Sequence, residues 1–169
     1  MKKIICTALV SVMLLGCVLA FAACGGVDVP DGYTLYENNN DISFAYPEDW
    51  TVQEGSVVVI KSKTGNNITL AYEPKTDMYD DMTVSTFNTT LKPMLENAGM
   101  SVSEVSVEHK TTNGLDVVEI SYKAKMSGQT MDQTLFVVTV GERTYSISVT
   151  EVTADSELVQ NVFNTISEK

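Results

Sequence analysis

One histidine, three closely spaced aspartates, three cysteines and a scatter of methionines are the side chains here whose types could do chemistry. His109 shares strand phase with Val105 and Val107, which places it at the end of an apolar face. Ser-His-Asp hydrolysis would need it as the base, but no G-x-S-x-G elbow accompanies it. A structural histidine at a strand end is therefore favoured over a general base. Asp77, Asp80 and Asp81, in the run DMYDDM, could attract a hard cation. The run lacks the central Gly and distal Glu of an EF-hand loop, so a solvated acidic loop leading into a helix is the stronger reading. Met78, Met82, Met94, Met100, Met126 and Met131 could offer thioethers to copper. They are dispersed, with no His or Cys beside them, and filling irregular core space explains them better. No P-loop, dinucleotide fingerprint or zinc spacing is present. No cofactor is expected, and no catalytic residue is assigned.

The cysteines belong to the beginning of the chain. Lys2 and Lys3 precede an uncharged run from Ile4 to Ala23, followed by Cys24-Gly25-Gly26. Such a run is long enough to span a bilayer, so a retained membrane helix competes with an export signal. Two features favour the signal. Ala22 and Ala23 are small, as a signal peptidase groove requires, and no Lys or Arg follows until Lys61, so there is no basic stop-transfer flank. The segment Phe21-Ala22-Ala23-Cys24 resembles the lipobox of bacterial lipoproteins, although Phe21 stands where that family prefers Leu. The resemblance implies cleavage before Cys24, a diacylglyceryl thioether on its sulfur, and an anchor of several acyl chains, each buried methylene contributing about 0.8 kcal/mol. A second match, Leu14-Leu15-Gly16-Cys17, would leave a very short apolar core and an apolar mature N-terminus, so Cys24 is preferred.

The expected organisation is a signal peptide over 1–23, a tether over 24–32 and one domain over 33–169. Loss of Lys2 and Lys3 leaves nine basic against 22 acidic residues, a formal charge of −13. Such a surface repels nucleic acid and anionic headgroups. With Cys6 and Cys17 removed and Cys24 lipidated, the domain has no disulfide, no thiol nucleophile and no thiolate metal site. The Gly/Pro/Asp-rich tether reaches at most about 25–30 Å, which holds the domain close to the membrane.

The elements follow from periodicity. Tyr33–Glu37 and Ile42–Tyr46 read as strands about an Asn/Asp turn, the second with one buried face. Thr51–Glu54, Val57–Ser62 and Ile68–Glu73 are further strand candidates. Val84, Phe87, Leu91, Leu95 and Ala98 then fall at helical spacing, with Thr83 to cap the start and Gly99 to close the end. Pro93 should kink or split this helix. Strands are expected over Val102–Thr111, Leu115–Lys125, Asp132–Val140 and Thr144–Glu151. Tight turns, Asn113-Gly114 the clearest, force them antiparallel. Asp155–Ser167 reads as a last helix, with Leu158, Val159, Val162, Phe163 and Ile166 as its stripe. Strands, helix, strand meander and helix make an α+β domain on an antiparallel sheet.

The run Ile42-Ser43-Phe44-Ala45-Tyr46-Pro47-Glu48-Asp49-Trp50 resembles the F-x-YP-x-x-W signature of PsbP-like domains. These include the extrinsic photosystem protein PsbP and the DcrB-type bacterial lipoproteins. The resemblance covers roughly Tyr33 to Lys169. It implies an α-β-α sandwich: a central antiparallel β-sheet with helices on its faces. It implies no enzyme activity, since members are known mainly as binding and assembly factors, and no functional residue transfers. The motif reads as a fold determinant: Ile42, Phe44 and Tyr46 share a strand face, Pro47 turns the chain, and Trp50 folds back over the same core. A cis Tyr46–Pro47 bond is one option at such a site.

The expectation is a non-enzymatic, lipid-anchored module on the extracytoplasmic face of the cell membrane, binding or scaffolding a protein or envelope partner and no nucleic acid. The alternative is a small-ligand- or metal-binding lipoprotein associated with a transporter. A hydrolase using His109 comes third.

Overall fold

Four long hairpin-linked strands are the frame on which the rest is laid. In the computed structural model, which describes residues 27–38, 41–155 and 157–169, these are β6 (Ser101–Thr112), β7 (Leu115–Met126), β8 (Gln129–Val140) and β9 (Arg143–Glu151). Their turns are tight because Asn113, Gly114, Ser127 and Gly128 all take positive φ, the geometry that matches hairpin twist. Beyond β9 lie β5 (Asn67–Pro74), β4 (Val58–Lys61) and β3 (Thr51–Gln53). The seven strands form one sheet in the order β3-β4-β5-β9-β8-β7-β6, every neighbour antiparallel.

The first two strands do not join it. β1 (Tyr33–Glu37), β2 (Ile42–Pro47) and the short β10 (Ser167–Glu168) form a separate three-stranded sheet in the order β1-β2-β10. With the last helix, α3 (Leu158–Thr165), this small sheet covers one face of the large one. Ile42, Phe44, Leu158, Val162 and Ile166 meet Ile60, Ile68, Phe136, Tyr145, Ile147 and Val149 there, all fully buried. Each such side chain contributes about 1.5–3 kcal/mol of burial. The other face is covered over β6–β8 by two short helices, α1 (Val84–Thr89) and α2 (Leu91–Asn97), whose Phe87, Leu91 and Leu95 pack on Val102, Val107 and Ile120.

Three local outcomes refine the sequence reading. The expected helix is split at Thr90, three residues before Pro93, so the proline falls in the first turn of α2, where its missing N–H costs least. Thr83 caps α1 in a reciprocal box with Thr86, and Gly99 closes α2 at φ +88°. The last helix ends at Thr165, not Ser167: Ile166 turns extended (φ −61°, ψ 122°) so that Ser167 can pair with Ser43. That pairing also buries β2 on both faces, Ser43 and Ala45 as well as Ile42 and Phe44, where the alternation had suggested one. The Tyr46–Pro47 bond is trans, and Trp50 packs against the large core as expected.

β6 carries a bulge. Its register shifts by one between Ser103 and Ser106, with Glu104 at φ +53°. The extra residue flips the parity, so that Val102 before it and Val105 and Val107 after it all face α1 and α2.

Candidate functional site

At the end of the sheet where β5 and β6 finish, the α1/α2 side has no helix over it. The chain from Lys75 to Met82 runs alongside instead and leaves a cleft of about 650 Å³, within the size range of small-ligand sites. Register places the floor. Thr111 pairs with Asp116 and His109 with Val118 across β6–β7, and Val118 pairs with Val137 on β8. Those side chains therefore share one face, with Thr139 two residues further along β8. Val118 and Val137 are the apolar base. Lys75, Tyr79 and Asp80 line the cleft from the neighbouring segment.

His109 is held by structure. Its Nε2 lies 2.8 Å from the backbone carbonyl of Met82. A carbonyl has no proton to give, so Nε2 donates, and Nδ1 is left as an acceptor. The bond ties the entry of α1 to β6. Thr111 Oγ1 donates to Asp116 Oδ1 at 3.2 Å. Thr139 Oγ1 and Thr144 Oγ1 are 3.2 Å apart, and Thr144 Oγ1 accepts the backbone N–H of Thr76 at 3.1 Å, which anchors the start of the lining segment. Burial, with a smaller contribution from the Glu73 charge, raises the Tyr79 phenol above its ordinary range and keeps it protonated.

Of the aspartates singled out in the sequence, only Asp80 lines the cleft, and all three are exposed. Among the described residues no three His, Cys, Asp or Glu side chains converge as metal ligands would. The methionines disperse too: Met82 is core, whereas Met78, Met94 and Met126 are largely exposed. Cys24 and the leader lie outside the described residues. Lys75, Asp116 and Thr139 were not anticipated. The signal for Asp116 was legible, because the Asn113-Gly114 turn sets a register that puts Thr111 opposite Asp116. Lys75 carried none, since it reaches the cleft only through tertiary packing.

No helix of the described residues is long and apolar enough to cross a membrane. No match was found among curated protein sequences. Among solved structures, cyanobacterial PsbP (CyanoP) from Synechocystis sp. PCC 6803 is similar at TM-score 0.63 and 15% identity, over 87% of this chain and 98% of that one. LpqN of Mycobacterium tuberculosis, described as involved in cell envelope biogenesis, is similar at TM-score 0.46 and 16% identity, over 80% and 90%. A Bacteroides thetaiotaomicron protein is similar at TM-score 0.47 and 17% identity, over 76% and 45%. The likeness to CyanoP is one of fold. The PsbP family model matches residues 31–168, which takes in both sheets, the helix pair and the whole F-x-YP-x-x-W run: the chain belongs to the PsbP family.

Proposed function

We propose that the protein is a non-enzymatic binding module, tethered by lipid at Cys24 to the extracytoplasmic face of the cell membrane, that engages a protein or envelope component. The observation that carries the non-enzymatic part is the Nε2 contact of His109 with the Met82 carbonyl. That bond holds the entry of α1 against β6, and among the described residues no hydroxyl or carboxylate side chain is hydrogen-bonded to the ring, so no nucleophile of the kind a histidine base activates stands beside it. The leader, the small residues before Cys24 and the shortness of the tether support the location.

Two experiments test this reading. Mass spectrometry of the N-terminal peptide from membranes should find a diacylglyceryl-modified Cys24 as the first residue. Cys24→Ala should leave the membrane fraction or retain its leader. An unmodified Cys24 on the processed chain removes the anchor. In-cell crosslinking of the full chain should recover a reproducible partner, and His109→Ala should change no hydrolytic activity of the purified chain. Capture of nothing, or a hydrolysis that disappears with His109, overturns the binding-module reading.

A further inference from the structure

Three charged residues that line the cleft are in no ion pair. Among the described residues, the lysines with ion-pair partners are Lys92, Lys110, Lys123 and Lys169. Lys75, Asp80 and Asp116, which line the cleft, are in no such pair. Their positions are also separated in a defined direction. Lys75 follows the last residue of β5, and its N–H is held by the Glu142 carbonyl at 2.9 Å. Asp116 lies on β7. The strand order β5-β9-β8-β7 puts three inter-strand steps between them, about 14 Å at the spacing of neighbouring strands. The flexible four-carbon stem of Lys75 can shorten that gap from its side. Between the two ends lie the apolar base of Val118 and Val137 and the hydroxyl of Thr139.

The arrangement is a cationic end, an uncharged middle and an anionic end. A simple cation would meet Lys75 as a repulsion, and a simple anion would meet both carboxylates. A molecule with an ammonium at one end, a carboxylate at the other and an apolar body between uses all three charges. A peptide chain advances at most about 3.3–3.6 Å per residue, so two or three residues separate their end groups by about 7–11 Å. Backbone amides of such a peptide can pair with the Thr139 and Thr111 hydroxyls and with His109 Nδ1, which the Met82 contact leaves free to accept.

From this we infer that the cleft binds short unblocked peptides of two or three residues, the free amine at Asp116 and Asp80, the free carboxylate at Lys75 and an apolar side chain over Val118 and Val137. The inference rests on the reading of the domain as a binding module and names a ligand for it.

The test is calorimetric titration of the full lipidated chain in detergent with the tripeptide Ala-Leu-Ala, its N-acetylated form, its C-amidated form, and spermidine. The unblocked peptide binds. Each block weakens it about tenfold, the effect of losing one charge-assisted contact. Asp116→Asn, which keeps the acceptor for Thr111, weakens the unblocked peptide but not the N-acetylated one. Lys75→Met weakens the unblocked peptide but not the C-amidated one. Thermal melts of both variants that match the parent confirm that folding is intact. If they do not match, Asp80→Asn, in an exposed position, replaces Asp116→Asn with the same expected selectivity. Equal binding of blocked and unblocked peptides, tighter binding of spermidine, or no binding of any peptide overturns the inference. Loss of peptide binding with partner crosslinking preserved overturns the ligand alone. Release of free alanine from the peptide overturns the non-enzymatic reading while leaving the cleft as the site.

Discussion

Thr165 is where the last helix, the small sheet and the chain end are joined, and replacing it by valine isolates a single hydrogen-bonded function. Thr165 is fully buried. Its Oγ1 accepts the backbone N–H of Ala45 at 2.8 Å and donates to the carbonyl of Asn161 at 2.6 Å, with Val162 O at 3.0 Å. Ala45 is itself fully buried. β10 covers β2 only at Ser43 and Ile42, so no strand supplies a second acceptor for that N–H. Thr165→Val keeps the shape and the β-branch, and the two residues have nearly equal helix propensity. On the donor side, the Val162 carbonyl, passed over by the Ile166 N–H in favour of Phe163 O, also loses its contact, which adds to the cost. The acceptor side leaves one buried amide unsatisfied, which costs about 1–3 kcal/mol. For a domain of this size the loss corresponds to a fall in Tm of roughly 3–10 °C. Thr165→Ser keeps the hydroxyl and loses one buried methyl, about 0.8 kcal/mol. Urea denaturation should show a lower midpoint with unchanged m for both variants, larger for valine, and amide exchange at Ala45 should rise only in the valine variant. A valine variant as stable as the parent, or less damaged than the serine one, would refute the reasoning.

Other consequences can be measured on the same material. Asn113 Nδ2 donates to the carbonyls of Asn164 and Ile166, both at 2.9 Å, while its backbone sits at φ +48°. Asn113→Ala should therefore lose about 2 kcal/mol, and Asn113→Gly, which tolerates that φ, should recover roughly half of it. Glu151 is raised above its ordinary 4.5 by burial first and then by the Asp155 and Asp132 charges, opposed by the Asp155 N–H, with Asp132 directly across the strand pair. Folding thus favours its neutral form: the contribution is present below pH 4.5 and lost as pH rises through the raised value. Glu151→Gln should stabilise the protein by roughly 0.5 kcal/mol at neutral pH, after solvent screening at this half-exposed site, and by nothing in acid. Burial, and then its hydrogen bond to Glu54 at 3.1 Å, pushes the Tyr36 phenol up to about 12. Spectrophotometric titration should show one tyrosine ionising last, and stability falling as pH climbs from 10 toward that value; Glu54→Gln should bring the ionisation down.

The parts of the fold legible in the residues are those set by neighbours in the chain. Asn113-Gly114 dictated a hairpin because two residues of positive φ close it without help. Thr83 announced a helix start through a cap made three residues away. The split of the α1/α2 helix was visible at Pro93, though its position was not: the break sits where Thr90 can turn the chain while the proline keeps a first-turn place. The β6 bulge was not legible: Val102–Thr111 reads as one unbroken strand, and only packing against α1 and α2 brings Val102 to the same side as Val105 and Val107.

Order in space followed another rule. No local pattern says that Ile42–Pro47 leaves the large sheet, or that the last residues abandon their helix to pair with it, because both depend on contacts more than a hundred residues apart, such as Ser43 with Ser167 at 2.8 Å. The cleft belongs to the same category. Its histidine and one aspartate could be named from residue type, but their meeting with Lys75 and Asp116 depends on β9 and β8 coming between β5 and β7. What the amino-acid string decided by itself was composition, the leader, the turns, the caps and the periods, since each is a property of a few adjacent residues. Which strands became neighbours, which charges were left without partners, and which proton His109 had already committed were decided only when long-range burial selected one packing.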